Sequence, residues 1–232
     1  GQLAVTDSGS TAGVFSDAVF LIDVATGNRS VLSDDTVPNA TNAMTTPTSI
    51  INHSTLGILV ADSTTNDAVL RVANPGGART IFSSSALTVP DAANPFTSPA
   101  GLAEDSDGSV LLIDTTSDQL LRLSASNGAR TVVTNLVAAD SYNGVEGTAA
   151  ADYVNKTNTP DAVLRVTGAS FTPLSSNLIG DGPIFGTAIG TVTLGLGIAI
   201  VPGPSSVAPT VSSPTSASVT ESTAVLGGSV DS

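Results

Sequence analysis

Four stretches of the chain repeat one pattern, and this repeat narrows the possible folds more than any other feature: DAVFLIDVATGNRSVLSD (17–34), DAVLRVANPGGARTIFSS (67–84), DQLLRLSASNGARTVVTN (118–135) and DAVLRVTGASFTPLSSN (161–177). Each reads as an apolar strand, a Gly-bearing turn and a second β-branched strand, the signature of a hairpin. A strand ending in Asp stands before each hairpin: LAVTD (3–7), ILVAD (58–62), VLLID (110–114) and TAAAD (148–152). Before two of these lies one more strand, PTSIINHSTLG (47–57) and PAGLAEDSDG (99–108). The unit is thus four short strands over roughly fifty residues, the size of one blade of a β-propeller. One such sheet buries little alone, whereas sheets stacked face to face around an axis bury their alternating Val, Leu and Ile positions. In DAVLRV (67–72) Val69 and Arg71 share one face, and Leu70 and Val72 the other.

Composition agrees with an all-β class. Hydrophobic residues make up 41% of the chain, enough for a core, while charged residues are only 12%, too few to coat long helices. The formal net charge is −13, so there is no basic surface to displace counterions from nucleic acid, and anionic membranes are disfavoured. There is no cysteine, which excludes disulfides, thiol catalysis and thiolate metal sites. The Ser/Thr-rich, Lys-poor surface and an opening that already reads as a strand (GQLAVTD) lead us to expect a mature extracellular or cell-surface protein. Residues 184–201 (IFGTAIGTVTLGLGIAIV) are uncharged and of the minimum length for a spanning helix, with Gly186 and Gly190 in GxxxG spacing. Their alternation by twos, their Gly and Thr content and the missing interfacial anchors favour two strands and a turn, so no membrane span is expected.

The Asp-ended strand, the DAVLRV strand and the GARTVV strand together resemble the NHL-type propeller repeats of secreted bacterial proteins. Residues 180–205 (GDGPIFGTAIGTVTLGLGIAIVPGPS) resemble the closing segment of such proteins. The resemblance spans about residues 1–205 and implies a propeller of about four blades over 1–204. It also implies closure by residues 195–201 pairing with the N-terminal blade, which would remove the open edges. A piece of a larger ring, its upstream blades missing, is the competing reading. The tail, 205–232, reads as a Pro/Ser-rich linker and a strand-like segment similar to the start of Ig-like or fibronectin-type bacterial surface modules, too little to fold alone.

Chemistry is sparse. His53, the single histidine, stands in a polar NHST turn and reads as an exposed turn residue; without a second His or a Cys, zinc sites and His-based triads have no material. No serine sits in GxSxG, and no GxGxxG or Walker loop follows a strand. The acidic residues are the remaining candidates. Asp105 and Asp107 lie in a DxDG string that can ligate calcium but is also an ordinary hairpin turn. Asp7, Asp62, Asp114 and Asp152, at equivalent strand ends, would converge near the axis as a metal or polar-ligand site, as in calcium-dependent lactonase propellers; the alternative is that each accepts hydrogen bonds from its own turn. Calcium is the one cofactor left open, and otherwise none is expected. Arg71, Arg122 and Arg165 recur at one blade position and are read as partners of a repeated Asp. Asn28, Asn39, Asn52 and Asn155 head Asn-x-Ser/Thr sequons in what read as turns or loops, the glycosylation candidates.

The expected function is therefore that of a non-enzymatic extracellular structural or interaction protein. It would be a subunit of a cell-surface or filamentous assembly that self-associates or binds other surface proteins, its tail docking on a neighbour. The alternatives are a propeller binding glycan or peptide, to which 3% aromatic residues are poorly suited, and a metal-dependent lactonase-like hydrolase.

Overall fold

The computed structural model describes residues 1–9, 17–63, 67–138, 140–157 and 162–176, together with the backbone of two strands further on, Val211–Thr220 and Thr223–Val230. The described residues form strands and turns with no helix. The first sheet is β1 (Gln2–Asp7), β2 (Ala18–Asp23) and β3 (Arg29–Ser33). The second runs in order through β4 (Pro47–His53), β5 (Gly57–Asp62), β6 (Ala68–Val72) and β7 (Arg79–Ser84). The third comprises β8 (Pro99–Glu104), β9 (Val110–Asp114), β10 (Gln119–Leu123) and β11 (Arg130–Asn135). The fourth comprises β12 (Tyr142–Gly147), β13 (Asp152–Lys156), β14 (Ala162–Thr167) and β15 (Ser170–Ser176). All are antiparallel meanders, and the strands nearest the axis pack in succession, β1 on β4, β4 on β8 and β8 on β12. The chain is an all-β propeller.

The pleat explains the order of the blades. Adjacent positions along a strand point to opposite faces, so each central strand feeds two cores. Leu70 and Val72 join Ile58 and Val60 against Val19 and Leu32 of the first blade. Val69 turns the other way and packs with Leu59 and Phe82 against Val110, Leu112, Leu121 and Leu123 of the third. Leu111, Ile113 and Leu120 then meet Val145, Val154, Leu164 and Val166 of the fourth. The facing expected for DAVLRV holds at Val69, Leu70 and Val72.

Each outer strand carries a bulge two residues before its last pairs, between Val19 and Phe20, Val69 and Leu70, Leu120 and Leu121, and Val163 and Leu164 as seen from the partner strand. The repeat is therefore a repeat of register as well as of residues. Asp17, Asp67 and Asp118, which immediately precede β2, β6 and β10, all take left-handed φ (57°, 39° and 51°), a conformation Asp tolerates through its short polar side chain.

Two expectations change. The fourth Asp-ended strand, TAAAD, is a turn: Asp152 pairs with Val166 and opens β13, so it stands where Ile58 and Val110 stand, opposite the end marked by Asp62 and Asp114. Lys156 occupies the Asp place instead, because it faces Ala162 as Asp62 faces Ala68. The short connection from Leu136 still leaves room for an inner strand, β12. The first sheet has three described strands, and the closing strand expected at 195–201, like the apolar run 184–201, lies outside the described residues. Among the described residues no helix is long and apolar enough to cross a membrane.

The chain divides into two compact units, 1–199 and 200–232. Within the second, β16 (Val211–Thr220) and β17 (Thr223–Val230) form an antiparallel pair.

Two glycines mark how closely the blades approach. Gly77 and Gly128 have left-handed φ (68° and 73°), and a Cβ there would lie 1.8 Å from the Leu32 carbonyl oxygen and 2.2 Å from that of Phe82, each in the preceding blade. Gly27, the matching residue of the first blade, has φ 72°, and no described residue comes within 4 Å of where its Cβ would lie. Gly27→Ala should therefore cost only the left-handed strain, about 1 kcal/mol. Gly128→Ala should cost on the order of 3 kcal/mol, because a backbone must retreat. Urea midpoints of the two variants at equal slope test this difference.

Candidate functional site

The most elaborate polar structure lies at the joints between blades, and it is built twice. Arg79 opens β7 and Arg130 opens β11, and their exposures are 5% and 3%. Arg79 reaches the loop that leaves the first blade: its Nε donates to the carbonyls of Thr41 (3.1 Å) and Asn42 (2.8 Å), and its Nη1 to Ser33 Oγ (2.6 Å), Asp34 O (2.5 Å) and Val37 O (3.2 Å). Its Nη2 donates to Asn39 O (2.5 Å). Arg130 repeats this against the loop that leaves the second blade. Its Nε donates to Ala93 O (2.8 Å), its Nη1 to Ser83 Oγ (2.9 Å) and Val89 O (2.9 Å), and its Nη2 to Asp91 O (2.5 Å). In return Asn42 Nδ2 donates to the Arg79 carbonyl (3.0 Å) and Asn94 Nδ2 to that of Arg130 (2.7 Å). Arg130 also lies 5.5 Å over the Phe96 ring. Five fixed N–H donors suit a ring of main-chain carbonyls as a lysine ammonium would not. Burial lowers both guanidinium pKa values, while Asp35 and Asp34 beside Arg79, and Asp91 beside Arg130, work the other way.

The third joint is different. Val166 faces Phe171 as Val72 faces Arg79, so Phe171 holds the arginine position and packs on the apolar core between the third and fourth blades. The connection from Leu136 to Ser141 is short and offers no long loop to grip. One element of the pattern survives: Thr134 Oγ1 donates to Ala169 O (3.0 Å), as Ser33 Oγ donates to Gly77 O (2.8 Å).

His53 is not the exposed turn residue its NHST setting suggests; it is 2% exposed. Its Nδ1 accepts from the backbone N–H groups of Thr55 (3.1 Å) and Leu56 (3.3 Å), which assigns the proton to Nε2, and Nε2 then donates to Gly108 O (2.9 Å) of the third blade. Glu104 completes this contact by accepting from Ser54 N (2.7 Å) and Ser54 Oγ. Burial alone would raise the Glu104 pKa, but the Ser54 bonds and nearby His53 hold it below the ordinary value.

The acidic candidates separate into two groups. At one end, Arg122 Nη2 meets Asp105 Oδ2 at 2.5 Å and Asp152 Oδ2 at 3.4 Å, and its Nη1 meets Asp107 Oδ2 at 3.2 Å. The repeated Arg-to-Asp pairing thus occurs at Arg122, whereas Arg71 and Arg165 stay exposed because the residues matching Asp105 and Asp107 are His53 and Thr55 in the second blade and Thr148 and Ala150 in the fourth. Three carboxylates around one guanidinium use the cation already in the protein, so a calcium ion in the DxDG turn would have to displace Arg122. At the other end, Asp114 Oδ1 accepts from Ser98 N (2.8 Å) and its Oδ2 from Ser117 N (3.3 Å). Asp62 Oδ1 accepts from Thr45 N (2.9 Å) and Thr46 N (2.7 Å), while its buried Oδ2 has no partner and burial raises its pKa. These aspartates clamp the entry to their own blades. Asp7 is exposed at the end of β1, and Asp152 is excluded from the set by its register. Among the described residues no group of three His, Cys, Asp or Glu side chains is arranged to hold a metal ion.

Among the sequons, Asn28 and Asn39 are exposed in turns and Asn52 is exposed on strand β4. Asn155 is 3% exposed on β13, and its Oδ1 accepts from the N–H groups of Asn143 and Gly144. Its amide is committed inside the fourth blade, contrary to the expected loop position. An open groove of about 680 Å³ runs along the second blade, with Asn52, Arg71, Asn74 and Thr80 on its walls.

No family model and no curated protein matches the chain. Among solved structures, a chain in the crystal structure of a nidogen/laminin complex is similar, with TM-score 0.55 and 12% identity over 77% of this chain and 63% of that one. Virginiamycin B lyase from Staphylococcus aureus gives 0.48 and 16% over 67% and 47%, and a streptogramin B lyase 0.47 and 16% over 75% and 57%. At these identities the first likeness shows the propeller fold alone, and this chain spans less than two thirds of the length of each neighbour.

Two outcomes are expected at this site. Arg130→Ala strands buried carbonyls and should cost on the order of 3 kcal/mol, Arg130→Lys should recover only part, and exposed Arg71→Ala should stay within about 0.5 kcal/mol. Chemical denaturation of the three variants checks this order. Burial, with Asp105 and Asp107 nearby, pushes Asp152 up to about 6 against the pull of Arg122. An unfolded Asp titrates near ~3.9, so between that pH and about 6 the folded chain holds a proton the unfolded chain has lost. This contribution is most favourable below that window, declines as pH rises through it, and is level above it. Asp152→Asn should flatten the slope and raise stability at neutral pH by on the order of 2 kcal/mol, read from unfolding midpoints across pH.

Proposed function

We propose that this chain is an extracellular interaction module without enzymatic activity, a propeller that serves as a building block of a cell-surface or filamentous assembly. One observation carries the reading: the side chains best suited to chemistry are spent on holding blades together. His53 bridges the second and third blades, Arg79 and Arg130 fill carbonyl cradles, and Arg122 is held in ion pairs with Asp105, Asp107 and Asp152. Moving any of them to serve a substrate would leave buried polar groups unpaired. The C-terminal strand pair, read as the opening of an Ig-like or fibronectin-type module, supports docking on a neighbour, because an isolated two-stranded sheet is marginal in water.

The polar groove along the second blade favours glycan or peptide as a second reading, with Arg71 as its cationic contact. Negative-stain microscopy and mass photometry of the full chain, beside a chain ending at Pro204, test the assembly reading. Filaments or oligomers from the full chain and monomers from the shorter one are expected. Monomers from both would remove the tail from the account and direct attention to the groove.

A further inference from the structure

The second and third blades place an arginine at one register position and surround it in opposite ways. Arg71 faces Leu59 and Thr80, and Arg122 faces Leu111 and Thr131. In the third blade, the turn between β8 and β9 and the start of β13 supply Asp105, Asp107 and Asp152. Their carboxylates lie 2.5, 3.2 and 3.4 Å from the Arg122 guanidinium. Around Arg71 the same three places are held by His53, Thr55 and Val110, because His53 matches Asp105 across the β4–β5 turn and Val110 faces Leu123 as Asp152 faces Val166. The guanidinium is kept, and none of the three carboxylates is.

Arg71 is exposed and makes no hydrogen bond or ion pair with any described residue. It stands on the wall of the groove of about 680 Å³, which runs between the 53–57 and 73–78 turns. That volume is within the range of small-ligand sites, roughly 300–1,000 Å³. All the described residues that line the groove belong to the second blade, so its walls do not depend on a neighbouring blade. Asn52, Asn74 and Thr80 are exposed on those walls, and their side chains are also without a bond to any described residue. Although the chain has a formal net charge of −13, no Asp or Glu is among the described lining residues. Glu104, on the third blade, turns its carboxylate to Ser54 instead.

The third blade shows what a guanidinium at this register takes when it is offered: carboxylate oxygens, through charge-assisted hydrogen bonds. Two amides and a hydroxyl beside Arg71 suit a partner rich in hydroxyl groups. No aromatic ring is among the described lining residues, so a neutral sugar would find no face to stack on. A sugar that carries its own carboxylate needs none, because the guanidinium supplies the grip.

We infer that the groove of the second blade binds a carboxylate-bearing saccharide, an oligomer of a uronic acid. Arg71 pairs with the carboxylate, and Asn52, Asn74 and Thr80 bond the hydroxyls. The inference rests on the groove reading given above as the second function, and adds the charge and chemical class of the ligand.

The test is titration calorimetry of the full chain with trisaccharides of galacturonic, glucuronic and mannuronic acid, their methyl esters, and a triglutamate peptide. At least one acid should bind, more weakly as salt rises, and its ester should bind at least about tenfold less tightly. Arg71→Ala should weaken the acid by the same factor and leave the ester unchanged. Thr55→Asp, which returns a carboxylate to the place of Asp107, should do the same. Arg165→Ala, at the matching position of the fourth blade and outside the groove, should bind as the wild type does. These three residues are exposed, and unchanged thermal midpoints verify folding. Equal binding of acid and ester overturns the inference and leaves the groove a site for neutral glycan. Wild-type affinity in Arg71→Ala overturns it by moving the ligand away from this arginine. Binding of triglutamate alone overturns it in favour of a peptide. Silence from every probe overturns the inference and the groove reading together.

Discussion

The structure depends on a buried guanidinium held by main-chain carbonyls. A propeller blade presents only one kind of apolar surface, and aliphatic faces alone would let neighbouring sheets slide along each other. Arg79 and Arg130 remove that freedom. Each reads several carbonyls of a loop that returns over the outer edge of the preceding blade, and each would be stranded without partners if the sheets moved by one residue. The cost of such an unpaired buried charge is several kcal/mol, far above the energy that distinguishes one aliphatic packing from another. Hydrophobic burial brings the blades together, and the arginines decide where they stop.

The loops must be long for this to work. The segments 34–46 and 85–98 carry turns and cis proline bonds at Val37-Pro38 and Val89-Pro90, and both curl so that successive carbonyls point inward. The short connection to the fourth blade cannot form such a curl, and there the arginine position is Phe171. Loop length and residue type change together, and each makes sense of the other. A short loop beside an arginine would leave the charge buried without acceptors, while a long loop beside a phenylalanine would leave carbonyls without donors.

Much of this was legible in the sequence. The hairpin repeat places most of the strands of the four described sheets and the facing of Val69 and Leu70, because a period of two fixes which side chains share a face. The joints were less legible. GNRS, GGART and NGART stand in the alignment at one position, yet it is the arginine of DAVLRV that reads as a partner of a repeated Asp, since an Arg inside a strand looks more unusual than one after a turn. Only the three-dimensional return of the 34–46 loop distinguishes Arg79 from Arg71. His53 was misread for a similar reason: a polar turn reads as exposed, and its partner Gly108 is 55 residues away. Asp152 was placed at a strand end because TAAAD imitates ILVAD in spelling, but small Ala residues leave the register to the neighbouring strand, which pairs Asp152 with Val166.

The unit that carries Ser33, Gly77 and their equivalents has an unusual evolutionary property. Its hydroxyl lies on one face and its glycine and arginine on the other, so a tandem copy of the unit meets its parent with a joint already made. Copying or deleting one segment of a gene, with no compensating substitutions elsewhere, would lengthen or shorten the series by a whole blade. Gene rearrangement could therefore change the curvature of the array without first passing through a sequence whose core is broken.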